Sequence, residues 1–265
     1  MDINALFVGN LTRIGEMNLN DLKKEMLKIR ATNRPATSEN YKCPICKDTH
    51  IVIVKDEDGH SVARDCDCMA QTVYRRLMKA SGIDAEDVNV RFNDFQTFNE
   101  QELQIAKATA AKYCKDLPMQ RYQKNNSLLL TGLPGRGKTM LGFCVANQLI
   151  KNGTPVQYVS YRDAITRLKQ NITDNVEYSE EINRMKNVSV LFIDDLFKGR
   201  ITESDINIMY ELINHRYLKR LPIIVSTEKY PKDLLAVDEA LGSRIIEMSK
   251  GYVVEFKESG NYRLR

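Results

Sequence analysis

The residues best suited to chemistry lie between Gly132 and Thr139, which match the pattern G-x-x-x-x-G-K-[S/T]. Glycines let backbone N–H groups turn toward phosphate oxygens, a lysine reaches the outer phosphates, and a hydroxyl suits Mg²⁺. An apolar run precedes this loop and an amphipathic run follows it, so the loop opens a helix whose N-terminus favours anions. We therefore predict that Lys138 binds the β- and γ-phosphates of a nucleotide and that Thr139 binds Mg²⁺. The predicted nucleotide-binding residues are Gly132, Leu133, Pro134, Gly135, Arg136, Gly137, Lys138, Thr139 and Met140.

Two consecutive carboxylates, Asp194 and Asp195, end a second apolar run that begins at Val188. Carboxylates at the carboxyl end of a buried strand lie next to the phosphate loop in ATP-hydrolysing enzymes. We expect Asp194 to bind Mg²⁺, mostly through water, and Asp195 to orient or deprotonate the attacking water. The two motifs together predict a site that binds and hydrolyses ATP.

The six cysteines divide by spacing into a cluster of four and two isolated residues. The cluster is a C-x₂-C pair and a C-x-C pair, separated by 19 residues: Cys43, Cys46, Cys66 and Cys68. A hairpin that turns at Asp58–Gly59 would bring four thiolates to one structural Zn²⁺. His50 and His60 are alternative ligands, and a chance group of reduced thiols is the competing interpretation. Cys114 and Cys144 are expected to be small buried hydrophobic residues.

The composition is that of an ordinary globular protein, because 43% of the 265 residues are hydrophobic and 28% are charged. These values exclude a mostly disordered chain, and no apolar run approaches the ~18 residues that a membrane-spanning helix needs. The first residues contain no basic segment followed by an apolar block, so we expect no secretory signal and a cytoplasmic location. A formal net charge of +4 permits contact with nucleic acid without requiring it.

Short apolar runs alternate with longer helical patterns after residue 100. Near-continuous apolar strands separated by helices are typical of a parallel sheet covered on both faces. The sequence therefore predicts an α/β fold with strands at Ser127–Thr131, Pro155–Ser160, Val188–Asp194, Pro222–Thr227 and Tyr252–Phe256. Before the first strand, a helix is predicted from Glu100 to Lys115 and is ended by Pro118.

The part before residue 100 carries weaker patterns. Apolar residues at helical spacing predict one helix from Asn18 to Arg30 and another from Cys68 that ends at Gly82. Between residues 83 and 99 the helical period is lost, which predicts a linker. We therefore expect an N-terminal helical and zinc-binding domain over residues 1–82, a linker over residues 83–99 and an ATPase domain over residues 100–265.

Four features in this order resemble AAA+ ATPases: the phosphate loop, the Asp194–Asp195 pair, a polar end to the fourth strand, and Gly242-Ser243-Arg244. More narrowly, the chain is similar to the DnaC/DnaI-type replicative helicase loaders of bacteria and their phages, within the DnaC/IstB-like clade. The similarity covers most of residues 92–265. It implies a five-stranded parallel P-loop sheet of order 5-1-4-3-2 and ATP bound between neighbouring subunits of a homo-oligomer. Too few residues follow Gly251 for a helical lid, so a lidless domain is expected.

The resemblance also implies roles for single residues. Ser226-Thr227-Glu228 stands where the family often has the Thr-Ser-Asn of sensor 1, and a carboxylate there repels the γ-phosphate unless a cation or a proton intervenes. Either Thr227 or Glu228 therefore takes the sensor role. Arg244 matches the arginine finger that reaches a neighbouring subunit's γ-phosphate, and a surface arginine is the competing interpretation. Arg263 is a candidate to replace the sensor 2 arginine, and a solvated arginine in the tail is the competing interpretation. The residues that shape the adenine pocket, or simply belong to the core, are Phe92, Phe95 and Phe98.

The function that the resemblance implies is ATP-dependent loading of a DnaB-type hexameric helicase onto single-stranded DNA. The N-terminal domain would bind the helicase, and no membrane is involved. Residues after the second and third strands either contact the DNA or form a solvated surface: Tyr161, Arg162, Arg167, Lys169, Lys198, Gly199 and Arg200. Two other functions stay open, an IstB-type transposition-helper ATPase and a nucleotide-gated DNA-binding scaffold with little hydrolysis. The cysteine cluster favours the loader.

Overall fold

The structure is a computed structural model that describes residues 41–172 and 174–264, apart from the side chains of Asn175 and Arg263. The helix predicted from Asn18 to Arg30 lies outside the described residues. The chain divides into two units, residues 1–64 and residues 65–265. No helix among the described residues is long and apolar enough to cross a membrane.

The described part of the first unit is built around a hairpin. Strands β1 (Ile51–Lys55) and β2 (Ser61–Asp65) pair in a two-stranded sheet. Gly59 in the turn has a φ of 81°, which glycine adopts without steric cost. The Asp56 carboxylate accepts hydrogen bonds from the N–H groups of Asp58 and His60 at 3.1 and 2.8 Å. The predicted hairpin is therefore present.

The second unit alternates helices and strands along the chain. Its helices are α1 (Asp67–Ser81), α2 (Gln101–Gln120), α3 (Lys138–Lys151), α4 (Tyr161–Gln170), α5 (Asn175–Asn187), α6 (Glu203–Lys219), α7 (Pro231–Val237) and α8 (Glu239–Met248). Its strands are β3 (Leu128–Gly132), β4 (Val156–Ser160), β5 (Val190–Leu196), β6 (Ile223–Thr227) and β7 (Val253–Phe256). One 3₁₀ turn follows at Tyr262–Leu264.

The strands β3 to β7 form one parallel sheet in the order β7-β3-β6-β5-β4. Counted from β3 as the first strand, this is the order 5-1-4-3-2, so the predicted fold class and strand order are confirmed. All five predicted strands begin one or two residues too early, and two of the predicted starts are prolines, Pro155 and Pro222. Proline has no N–H to donate to the sheet, although the carbonyls of these residues accept bonds from Val190 and Leu191 at 3.1 and 3.2 Å.

Helices cover both faces of the sheet, which explains why the central strands β3 and β6 are buried along their whole length. Leu128 and Leu130 belong to a core that α1, α2 and α3 complete, and Leu129 belongs to a core completed by α4 to α8. The carboxyl ends of β3, β5 and β6 lie side by side because these strands are parallel neighbours. Ligands bind at this edge in open α/β sheets.

Pro118 does not end helix α2, which continues to Gln120 and corrects the predicted end at Lys115. A proline removes one helical hydrogen bond, but this one lies in the last turn, where side chains hold the chain in place. The Tyr252 hydroxyl lies 2.7 Å from Asp116 Oδ2 and 2.9 Å from Gln120 Oε1. These contacts stabilise the turn despite the missing N–H.

Residues 83–99, the predicted linker, contain no helix or strand and are an integral part of the second unit. Ile83 and Phe95 are buried in its core. The buried Asn147 amide on α3 donates to the carbonyl oxygens of Asp87 and Val90 at 2.7 and 2.9 Å. Because backbone carbonyls carry these contacts, the segment is fixed without any apolar periodicity.

Helix α1 packs against the core of the second unit, to which it belongs. Its residues Tyr74, Leu77 and Met78 contact the core that α2 and α3 complete, and Gly82 follows its last turn with a φ of 72°. The boundary between the units at residues 64 and 65 therefore precedes the predicted boundary at residue 82. A functional docking domain of residues 1–82 stays a prediction.

Arg216 on α6 is completely buried. Its Nη1 donates to the carbonyl oxygens of Met185, Lys186 and Val188 at 2.8, 3.2 and 3.0 Å, and its Nη2 donates to that of Pro222 at 2.7 Å. Burial lowers the pKa of this guanidinium to about 9, so it stays charged at neutral pH. One side chain thus joins the end of α5 to the start of β6.

We expect Arg216→Met to lower the free energy of unfolding by about 2–4 kcal/mol, because each buried carbonyl that loses its donor costs about 1–3 kcal/mol. Lys219→Met, at the exposed end of the same helix, is the matched control and should change it by less than about 0.5 kcal/mol. Urea unfolding measures both variants. Equal losses would contradict this role of Arg216.

Candidate functional site

The loop between β3 and α3 forms a cradle of backbone N–H groups. Its glycines have positive φ angles of 138° at Gly132, 72° at Gly135 and 88° at Gly137. A Cβ at Gly132 would collide with the carbonyl oxygen of Phe256, so only glycine fits. Helix α3 begins at Lys138, directly after the loop, and its N-terminus carries a partial positive charge. This geometry fits the phosphate groups of a nucleotide.

A cavity of about 370 Å³ opens over this loop. Residues 134–140 line one side of it, and the predicted catalytic residues Asp195 and Glu228 line another. The wall is completed by residues that the motifs do not include: Asp87, Val90, Phe143, Lys198 and Tyr262.

Lys138 lies within the cradle and is only 5% exposed. Its Nζ donates to the carbonyl oxygens of Gly132 and Leu133 at 2.7 and 2.8 Å. Burial lowers the pKa of this ammonium, and the carboxylates of Glu228 and Asp195 oppose the shift. The loop that would hold the phosphates therefore also holds the lysine.

The predicted Mg²⁺ ligands, Thr139 and Asp194, are in contact. Thr139 Oγ1 donates to Asp194 Oδ1 at 3.0 Å, and the Ser226 hydroxyl donates to the same oxygen. Burial raises the pKa of Asp194; the Ser226 hydrogen bond opposes this shift and the charge of Asp195 adds to it. A hydroxyl and a carboxylate are hard oxygen ligands of the kind that Mg²⁺ prefers. The pair fits the ion, whose charge would favour the ionised carboxylate.

Asp195 reaches the cavity because β5 is irregular at this point. Consecutive side chains of a regular strand point to opposite faces. Here the register with β6 shifts between Ile193 and Leu196, and Asp195 has a φ of 55°. The Asp195 N–H donates to Ser226 Oγ at 2.9 Å. Ser226 therefore contacts the Asp194 carboxylate and the Asp195 backbone N–H, a role that the sequence does not predict.

Glu228 and Thr227 take different positions at the end of β6. Glu228 lines the cavity. Thr227 is buried, and its hydroxyl donates to the carbonyl oxygen of Leu196 at 2.7 Å and accepts the Lys229 N–H at 3.1 Å. Glu228 therefore lies at the site, whereas the side chain of Thr227, the alternative sensor, is buried in the protein interior.

Tyr262 closes one side of the cavity. Its N–H donates to the Gly135 carbonyl oxygen at 2.5 Å, and its hydroxyl accepts the Gln96 N–H at 2.7 Å. Its ring stacks on Phe95 with a centroid distance of 5.6 Å. Within the described residues, the cavity wall includes none of the phenylalanines predicted for the adenine pocket, which are Phe92, Phe95 and Phe98. Phe95 instead lies buried behind Tyr262, and the side chain of Arg263 is outside the described residues.

Glu102 on α2 fixes the residues that precede Tyr262. Its carboxylate accepts the N–H groups of Lys257, Glu258 and Ser259 at 2.8, 2.8 and 2.9 Å. Burial would raise the pKa of Glu102, but the hydrogen bonds from these residues outweigh it and lower the pKa. The carboxylate is therefore charged at neutral pH, and this anchor for the segment persists there.

Arg244, the predicted arginine finger, lies on α8. Its guanidinium lies 5.0 and 5.6 Å from the ring centroids of Tyr210 and Tyr217. It donates to the Ala240 carbonyl oxygen at 2.5 Å and to the Tyr210 hydroxyl at 3.2 Å. In the part of the chain that the structure describes, Arg244 is not among the residues that line the cavity.

The residues predicted to contact DNA lie in different environments. Tyr161 is buried edge-on against Phe197, at a centroid distance of 5.5 Å, so it cannot stack on a base. Arg167 and Lys169 form ion pairs with carboxylates of neighbouring helices, and Lys198 lines the cavity. The remaining exposed candidates are Arg162, Gly199 and Arg200.

The predicted zinc ligands form a cluster. The sulfur atoms of Cys43, Cys46, Cys66 and Cys68 all lie within 4.8 Å of one another. Four thiols at this spacing fit a tetrahedral Zn²⁺, so the cluster could bind zinc. Among the described residues, neither alternative ligand, His50 or His60, belongs to the group. The Asp48 carboxylate accepts the N–H groups of Lys42 and Cys43 at 3.1 and 2.9 Å, which fixes the turn that carries the first pair.

The two isolated cysteines, Cys114 and Cys144, are buried, which confirms the prediction. Burial raises the pKa of each thiol to about 12. Both are therefore neutral at physiological pH and act as core residues.

Comparison with known proteins places the chain in a family. Residues 78–264 match the model described as IstB-like ATP binding protein. The chain is 36% identical over 261 residues to the phage-like element PBSX protein XkdC of Bacillus subtilis (strain 168), covering 94% of this chain and 96% of that one. It is 29% identical over 125 residues to the replicative helicase loader DnaC of Buchnera aphidicola subsp. Baizongia pistaciae (strain Bp), covering 46% of this chain and 48% of that one.

Among solved structures, the crystal structure of the DnaI matches with a TM-score of 0.57 and 20% identity, over 69% of this chain and 95% of that chain. This likeness confirms the AAA+ type of α/β fold. The family match extends from α1 to the residues after β7 and so includes the phosphate loop, both carboxylates and Arg244. The chain therefore belongs to the IstB-like ATP-binding proteins, within the AAA+ ATPases related to DnaC.

Proposed function

We propose that the chain is an ATPase that loads a replicative hexameric helicase onto single-stranded DNA. The observation that carries the proposal is an ATP site whose candidate arginine finger, Arg244, lies outside the cavity of its own chain. Such a site is completed only when a second copy supplies the finger. Hydrolysis is then coupled to assembly, which is what a protein that acts on a ring-shaped partner requires.

The residues of the site divide the work of phosphoryl transfer. Lys138 and the loop N–H groups bind the phosphates, and Thr139 and Asp194 hold Mg²⁺, which neutralises phosphate charge. Asp195 orients or deprotonates the attacking water from the cavity wall. Arg244 of one copy stabilises the charge that develops on the γ-phosphate bound by its neighbour.

The four-cysteine cluster supports a loader with a separate docking module. Zn²⁺ held by Cys43, Cys46, Cys66 and Cys68 would be structural, since four protein ligands leave no position for water. We propose that residues 1–82 bind the helicase and that the ATPase unit binds single-stranded DNA, with Arg162 and Arg200 as exposed cations. The location that this function requires is the cytoplasm.

A second candidate function is that of an IstB-type transposition helper, because the family model that matches residues 78–264 is described as IstB-like ATP binding protein. Both functions use the same ATP site, so the partner distinguishes them. A helper would bind a transposase and would not increase the amount of helicase on DNA.

The test is helicase loading onto closed circular single-stranded DNA, which has no end to thread. The full chain with ATP should increase the DNA-bound helicase and the unwinding of an annealed strand. Lys138→Ala should abolish this gain, because loss of a charged contact to the phosphates weakens ATP binding by about 10–100-fold. Lys151→Ala, at the exposed end of α3, is the matched control and should load normally. Equal loading with and without the protein, or retention of a transposase instead, would reject the loader.

A further inference from the structure

Three charged side chains meet on the wall of the cavity that the phosphate loop also lines. Lys198 Nζ lies 2.6 Å from Asp195 Oδ2 and 3.8 Å from Glu228 Oε1. All three residues line the cavity. The lysine thus lies between the carboxylate that would act on water and the carboxylate at the sensor position.

The turn that carries Lys198 has a fixed backbone. Phe197 is buried and has a φ of 61°, and Gly199 has a φ of 87°. The Lys198 N–H donates to the Asp195 carbonyl oxygen at 3.0 Å. The side chain itself is 39% exposed and has a flexible four-carbon stem, so its ammonium can change partners while the backbone stays in place.

Glu228 needs such a cation. An ionised carboxylate near the terminal phosphate of ATP repels it, whereas the shorter ADP does not extend to the same region. The charge of Glu228 also acts on Lys138, but Lys138 Nζ is bonded to the carbonyl oxygens of Gly132 and Leu133. Lys198 Nζ lies 3.8 Å from Glu228 Oε1, and an ammonium carries three N–H donors on a flexible stem.

We propose that Lys198 is the residue by which the chain distinguishes ATP from ADP. Its ammonium pairs with Asp195 and Glu228 when the terminal phosphate is absent and contacts that phosphate when ATP is bound. Glu228 holds the Lys198 ammonium close to the position of the terminal phosphate while ATP and ADP exchange. The inference rests on the proposed ATPase function and adds a nucleotide-contacting residue from the same chain.

The experiment measures nucleotide affinity and needs no hydrolysis. The full chain is titrated by calorimetry with MgADP and with the magnesium complex of a non-hydrolysable ATP analogue. Lys198→Met should reduce the preference for the analogue over ADP by about 10–100-fold, because one charge-assisted bond to the terminal phosphate is lost. Affinity for ADP should stay within about threefold, as the contact is absent there.

Three further variants test whether a lost preference for the ATP analogue results from the missing charge of Lys198 or from a disturbed structure. Lys198→Arg keeps the charge and should keep most of the preference. Adding Glu228→Gln to Lys198→Met should restore part of it, because the unopposed carboxylate is removed. Lys232→Met removes an exposed cation outside the cavity and should have no effect.

The possible outcomes distinguish the role of Lys198 from the ATPase proposal. An equal change in ADP and analogue affinity, or a Lys198→Met variant with unchanged preference, overturns the role of Lys198 and leaves the ATPase proposal intact. A wild-type chain that binds neither nucleotide overturns both. The restored preference in the double variant also shows that the protein is folded, since a misfolded site would recover nothing.

Discussion

Replacing Arg244 by alanine should leave ATP affinity nearly unchanged and slow ATP turnover in the assembled protein by about 10³-fold or more, the contribution typical of arginine fingers. Affinity survives because Arg244 packs on Tyr210 and Tyr217 and does not line its own cavity in the described part of the chain. Turnover per wild-type chain should rise with protein concentration, or when helicase and DNA align neighbouring copies. The variant should show no such rise in a steady-state ATPase assay.

Mixing two inactive variants tests whether the finger acts between chains. Arg244→Ala keeps its phosphate loop and Lys138→Ala keeps its finger, so some interfaces in the mixture contain one intact copy of each. Activity should therefore recover partly on mixing. Arg184→Ala removes an exposed arginine from α5 and should behave as wild type. A turnover per chain that does not change with protein concentration, together with no recovery on mixing, would mean that each chain hydrolyses ATP alone.

Replacing Cys66 by serine should release the metal and unfold the surroundings of the cysteine cluster. Structural zinc sites contribute apparent binding free energies of about 10–16 kcal/mol to the folding of small domains. The wild-type chain should contain about one Zn²⁺, by elemental analysis, given one four-ligand site. Amide hydrogen exchange over residues 41–65 should accelerate strongly in the variant. Nucleotide binding should persist, because the ATP site is built from residues of the α/β core.

The matched control is Cys114→Ala. Cys114 is buried in α2 and takes no part in the cluster, so this variant should keep its zinc. Wild-type protein that contains no zinc after purification without a chelator would contradict the site. So would a Cys66→Ser variant that retains the wild-type zinc content.

Local signals account for most of the architecture and for the centre of the site. An apolar run, a glycine loop and an amphipathic run predict β3, the phosphate loop and α3, because each is encoded within a few consecutive residues. The role of Asp194 is predicted in the same way, because it stands near the carboxyl end of the apolar run that forms β5. The order of the strands came from the resemblance to AAA+ proteins, since apolar runs alone do not reveal which strands are neighbours.

The periphery of the site depends on contacts that sequence patterns do not record. Val90 is positioned by the side-chain amide of Asn147, which binds backbone carbonyls, so no pattern marks residues 83–99 as part of the wall. Tyr161 begins α4 with its ring buried against Phe197. The basic residues next to it in the sequence suggest an exposed position.

A local irregularity decides the position of Lys198. The shifted register after Ile193 and the positive φ of Asp195 turn the following residues toward the cavity. The residues lysine, glycine and arginine are as typical of a solvated turn as of a turn that lines a binding site. Only the irregularity in β5, which the sequence does not reveal, distinguishes these two positions. Ser226 could have been found from its place beside the predicted sensor, because neighbouring strand ends meet at one edge of the sheet.

The cavity wall brings together stretches of chain that are far apart in sequence: Val90 precedes β3, the phosphate loop follows it, and Tyr262 comes after β7. A nucleotide that contacts all three acts as a reversible cross-link among them. By mass action, a ligand at 100 times its dissociation constant adds about 2.7 kcal/mol to the free energy of unfolding. We therefore expect the thermal stability of this protein to rise with nucleotide concentration.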